Sequence, residues 1–110
     1  MNEFRIALST CPPDASDQIA KELVQKRICA CVNIIRGLSS TYHWKGKIET
    51  ETEDLLFMKT TSHRVQSLKQ ALVKAHPYEV PEFIVIPIIQ GHSAYLDWIA
   101  QSVDSESVGD

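Results

Sequence analysis

Phe4, Ile6 and Leu8 alternate with Arg5, Ala7 and Ser9. That period of two predicts a strand, stopped by Cys11-Pro12-Pro13-Asp14. Asp14 is the candidate N-cap of a helix running to about Arg27, with Ile19, Ala20, Leu23 and Val24 on one stripe. Asp17 in its first turn and Lys26-Arg27 in its last complement the helix dipole. Cys29 to Ile35 reads as a second strand, apolar on both faces except at Asn33, and stays extended through Tyr42 and Trp44. Lys45-Gly46 turns the chain, and Ile48 to Thr61 returns as a third strand. At the tip of this hairpin Glu49, Glu51 and Glu53 share one side, which reads as a solvated face of like charge. Ser62 caps a second helix carrying Val65, Leu68, Leu72 and Val73, and Pro77 ends it at His76. Pro81 to Gln90 is the fourth strand, placed at a sheet edge by Pro87, which has no amide hydrogen to give. Ser93 opens a third helix with Leu96, Ile99, Ala100 and Val103 in register.

Two strand–helix–strand crossovers joined by a hairpin make an α+β, ferredoxin-like βαββαβ sandwich with a C-terminal helix and a long hairpin between strands two and three. Right-handed crossovers put both helices on one face, strands one and three inside the sheet, and strands two and four at its edges. Residues 1–103 form the single domain, and 104–110 are expected to be a flexible tail. Strands two and three are apolar on both sides: Val32 and Ile34 against Cys31 and Ile35, Leu56 and Met58 against Leu55 and Phe57. The helices cover one side only. A bare apolar face on a monomer is an aggregation liability, so the pattern asks for self-association.

Composition agrees with one core: 110 residues, 44% apolar and 23% charged. The longest apolar run, Phe83 to Ile89, is too short to cross a bilayer, and no secretory pattern opens the chain, so a cytoplasmic location is expected. Net charge is −3 with no basic cluster, which argues against nucleic acid as a partner. Three cysteines, Cys11, Cys29 and Cys31, are expected as reduced thiols, the last two as small packed side chains of one strand.

No glycine spacing cradles a phosphate, and no nucleophile sits in an elbow, so no enzyme is expected. The stretch with most chemistry is His76-Pro77-Tyr78-Glu79-Val80-Pro81-Glu82. An imidazole, a phenol and carboxylates crowd a loop stiffened by prolines, the usual setting of a binding site. Tyr42 and Trp44 sit before the hairpin turn and read as interface residues.

Several segments together resemble one family. Lys26 to Ile35, Tyr42-His43-Trp44-Lys45-Gly46-Lys47-Ile48-Glu49, Lys59-Thr60, the His76–Glu82 loop and Tyr95-Leu96-Asp97-Trp98 are similar to segments of the CutA divalent-cation tolerance proteins. The likeness runs from Phe4 to about Ser102. It implies a tight, PII-like homotrimer that acts in the response to metal ions and binds a divalent metal, Cu²⁺ foremost, with no organic cofactor. The implied metal ligands are Cys11, His76 and Glu82, although the gap before the first helix leaves Ser9 as the alternative to Cys11. A thiolate, an imidazole and a carboxylate make a set that favours Cu²⁺ among first-row ions. The alternative is a PII-like signalling or scaffold trimer taking a small anion or a protein at subunit clefts, with Lys59, Tyr78 and Glu79 in the site.

Overall fold

The computed structural model describes residues 3–104. Strand β1 (Phe4–Cys11) leads into helix α1 (Ser16–Gln25), then strands β2 (Cys31–Trp44) and β3 (Lys47–Thr61). A 3₁₀ turn at Ser62–Arg64 opens helix α2 (Val65–Ala75), followed by strand β4 (Ile84–Pro87) and helix α3 (Ser93–Ser102). The sheet order is β2-β3-β1-β4, and every neighbouring pair is antiparallel. This is the expected ferredoxin-like arrangement, with β2 and β4 at the edges.

The core lies under α1 and α2. Ile19 and Leu23 from α1 and Leu68 and Leu72 from α2 pack on Ala7, Cys11, Leu56 and Met58 of the sheet. The opposite face carries Ile6, Leu8, Leu55 and Phe57, with Ile35, Ile84 and Ile86 at 46%, 49% and 40% exposure. Helix α3 covers only one end of it, burying Ile99 and Val103 against Ala30 and Phe4. Arg27 Nη1 reaches the Ser102 carbonyl at 3.1 Å and Arg64 Nε the Val103 carbonyl at 2.9 Å, holding the end of α3.

Several local expectations shift. The N-cap of α1 is Ala15 rather than Asp14, with no side-chain cap bond. The helix ends at Gln25, and Arg27 takes φ +56°, so Lys26 and Arg27 follow the last turn instead of lying in it. Ser93 is the first residue of α3 and caps nothing. Strand β4 is four residues long, far shorter than Pro81 to Gln90. Its ladder stops for a physical reason. Phe4, whose carbonyl takes the Ile88 N–H, and Thr10 present their carbonyls to the same edge of β1, but the Thr10 carbonyl is taken by His76 at 2.7 Å. Cys29 precedes β2 and is buried in the helix-side core, whereas Cys31 opposes Lys59 on the other face. The two thiols therefore do not share a strand face. The expected tail falls almost wholly outside the described residues, at 105–110.

The hairpin is closed by Lys45 (φ +51°) and Gly46 (φ +81°), a two-residue turn of the kind that matches strand twist. Midway along β2 a β-bulge shifts the register between Ile35 and Leu38. Beyond it Leu38, Ser40, Tyr42 and Trp44 oppose Glu53, Glu51, Glu49 and Lys47, so these two sets share one face.

Candidate functional site

A cleft of about 870 Å³ opens between this outer hairpin and the loop that follows α2. One wall is the strand face of Ser40, Tyr42 and Trp44 with Glu49, Glu51 and Glu53; the other is Pro77 to Val80 with Glu82, and Thr10 closes the end. Five glutamates line it and, among the described residues, no lysine or arginine does. Packed carboxylates without counter-charges give the cavity a negative potential that draws cations.

Two of the five are engaged by phenols. Tyr78 donates to Glu53 Oε2 at 2.7 Å; burial first, then this bond, pushes the phenol well above its ordinary range. Tyr42 is pushed up too, chiefly by its hydrogen bond to Glu51. Glu79 and Glu82 are exposed and Glu49 half-buried, which leaves them facing the opening. The Thr10 hydroxyl lies 3.5 Å from Glu82 Oε1.

His76 shapes the loop. Its Nε2–H donates to the Thr10 carbonyl at 2.7 Å, while Nδ1 accepts the Tyr78 N–H at 3.1 Å. Both ring nitrogens are thereby satisfied in the neutral form. The ring also packs on Tyr78, centroids 4.7 Å apart. With Pro77 and Pro81 limiting the backbone, the loop is stiff.

The proposed ligands do not gather in one chain. Antiparallel pairing of β1 and β4 does bring the end of β1 beside Glu82, but the neighbour is Thr10. Cys11 points to the helix side, fully buried, its thiol pushed up to about 11 by burial and by Asp54, Glu53 and Asp14. A thiol held protonated away from the cleft does not fit as a metal ligand there. Among the described residues no group of three or more His, Cys, Asp and Glu is placed to hold a metal ion. Tyr78 and Glu79 line the cleft; Lys59 does not, its ammonium meeting the Tyr95 hydroxyl at 3.2 Å under α3. Tyr42 is half-buried on the cleft wall and Trp44 is exposed at its rim. The glutamates read as a solvated tip are cleft lining instead. Their alternation with Thr50 and Thr52 was visible, but their facing Tyr42 depends on the bulge.

The sheet order and the helices α1 and α2 on one face place the chain in the class of small ferredoxin-like α+β proteins. A family model for the CutA1 divalent ion tolerance protein matches residues 5–102, and the chain belongs to that family. The divalent-cation tolerance protein CutA of Thermus thermophilus is 43% identical over 98 residues, covering 88% of this chain and 95% of the relative. Human Protein CutA is 44% identical over 102 residues; the match covers 92% of this chain but 57% of the human protein. Among solved structures, CutA1 from Oryza sativa superposes with a TM-score of 0.91 at 34% identity, covering 94% and 95% of the two chains. The PII-like protein CutA from Nostoc gives 0.87 at 37%, covering 91% and 97%. Family members are named for more than one compartment, chloroplastic in Arabidopsis thaliana and periplasmic in Archaeoglobus fulgidus. Among the described residues no helix is long and apolar enough to cross a membrane.

Proposed function

We propose that this protein is a non-enzymatic, cytoplasmic homotrimer that binds divalent cations, copper foremost, in the cellular response to metal ions. The observation that carries the reading is the cleft lined by five glutamates and no basic side chain. The apolar sheet face left open by the helices supplies the reason to assemble. Because the described residues of one chain offer no complete ligand set, the ion is held at a subunit boundary by donors from two chains. Glu82 and His76 lead on this chain's side, His76 engaging only if the loop releases one of its ring nitrogens. Cys11 joins only if the end of β1 opens. Three unpaired thiols accord with a reducing compartment.

In the competing reading a signalling or scaffold trimer takes a small anion or a protein at subunit clefts through Lys59, Tyr78 and Glu79; the same acidic lining opposes the anion. Calorimetric titration of the metal-stripped protein separates the two. Copper should bind wild type, weaken in Glu82→Gln and His76→Ala, and be indifferent to Cys11→Ser. Equal affinity in wild type, Glu82→Gln and His76→Ala contradicts the cation site, and binding of a nucleotide or small acid in place of copper establishes the alternative.

A further inference from the structure

The two ends of the β2–β3 hairpin obey different registers. From Cys31 opposite Lys59 to Ile35 opposite Leu55 the pairing follows one frame; from Leu38 opposite Glu53 to Trp44 opposite Lys47 it has moved by one residue. Arg36 and Gly37 together stand opposite Asp54, the extra residue of a β-bulge. The shift matters because a slip of one residue turns every side chain to the other face. In the unshifted frame Ser39, Thr41 and His43 would accompany Glu51, Glu49 and Lys47. Ser40, Tyr42 and Trp44 would then leave the cleft.

Asp54 is the side chain at the centre of the bulge. It is 1% exposed, on the helix side of the sheet. Its Oδ1 accepts the Gly37 N–H at 3.1 Å, and its Oδ2 accepts the Ser16 hydroxyl at 2.7 Å with Arg36 Nη1 3.5 Å away. Ser16 is buried at the start of α1, so the carboxylate ties the bulge to the helix layer. Arg36 is tied to the same helix by Asp17 at 2.8 Å. Gly37 sits at φ +74°, a conformation other residues resist. The core sets the inner frame and the two-residue turn at Lys45-Gly46 sets the outer one, so a bulge must reconcile them.

We propose that Asp54 is the positioning residue of the cleft: by fixing the Arg36–Gly37 bulge it decides which residues of the outer half of β2 stand beside the glutamates in the cavity wall. Its consequence for binding rests on the cation-cleft reading; the register claim does not.

Backbone NOE contacts between strands in the assembled protein read the register directly. Wild type should show Thr41 opposite Thr50 in the outer hairpin and Asn33 opposite Phe57 in the inner. Asp54→Ala should lose the Thr41–Thr50 pairing and keep Asn33–Phe57. Asp54→Asn should restore it, since an amide oxygen still accepts from Gly37 and the Ser16 hydroxyl has the Pro13 carbonyl at 3.2 Å as another acceptor. Should Asp54→Ala not fold, Gly37→Ala makes the same test, because the added Cβ meets nothing within 4 Å and strains only the bulge. An unchanged Thr41–Thr50 pairing in Asp54→Ala, or in Gly37→Ala if that variant is needed, overturns the proposal. Copper titration of the slipped variant separates the claims, because Glu49, Glu51 and Glu53 keep their face in either frame. Weakened binding shows that the Ser40, Tyr42 and Trp44 side supports the cation site, whereas unchanged binding leaves the register claim standing and removes those three residues, not the glutamates, from the site.

Discussion

Replacing Ile35 by glutamate tests whether the open sheet face is an assembly surface. Ile35 lies on that face and is 46% exposed in the single chain. Complete burial of an isoleucine is worth ~1.5–3 kcal/mol, so covering its exposed half contributes about 1 kcal/mol per subunit and about 3 kcal/mol per trimer. That amount alone moves the dissociation constant by about a hundredfold, and an unpaired carboxylate forced into apolar contact adds to the loss. Val24 makes the control: it is 40% exposed, on the outer side of α1. Light scattering over a dilution series should show wild type and Val24→Glu holding a trimer mass while Ile35→Glu falls to monomer. Circular dichroism should show the Ile35→Glu monomer folded, because the helix-side core is untouched. A stable trimer in Ile35→Glu, with unchanged melting, would refute the assignment of this face.

Tyr78→Phe removes the hydroxyl that Glu53 accepts at 2.7 Å and should lower stability by about 1.5 kcal/mol in urea unfolding; no change would mean that water replaces the phenol fully. Burial pushes the Cys11 and Cys29 thiols up to about 11 and about 12, so iodoacetamide near pH 8 should add at most one label per native chain, on Cys31. A label on Cys11 in mass spectra would contradict its placement. Asp54 is held below its ordinary value first by the Ser16 hydrogen bond, then by Gly37 and Arg36. A lowered folded-state pKa contributes stability above the unfolded value that is lost as pH falls through the folded one. Acid unfolding should therefore be less steep below about pH 4 in Asp54→Asn than in wild type.

The element order was legible because hydrophobic periods change sharply along the chain, from two in Phe4–Leu8 to helical in Ile19–Val24 and back. Pro87 likewise marked an edge strand. The length of β4 was not legible, since it depends on His76 capturing a carbonyl 66 residues away. The stiff His76–Glu82 loop was visible as a site candidate from its side chains alone, and it does form a cleft wall. The opposite wall was hidden by one residue. Arg36-Gly37 looks like continuous extended chain, and only the long-range bonds to Asp54 reveal a bulge that turns Tyr42 toward the glutamates. Cys11 and Lys59 have suitable chemistry for their expected roles, but strand parity puts the first in the core and α3 covers the second.

The most direct measurement for the cation-binding claim is anomalous diffraction at the copper edge from crystals of the metal-stripped protein soaked in Cu²⁺. The cleft account predicts a peak beside Glu82, between two subunits, that disappears in Glu82→Gln crystals. Copper confined to exposed histidines such as His43, His63 and His92, or a cleft empty at saturating copper, would contradict it.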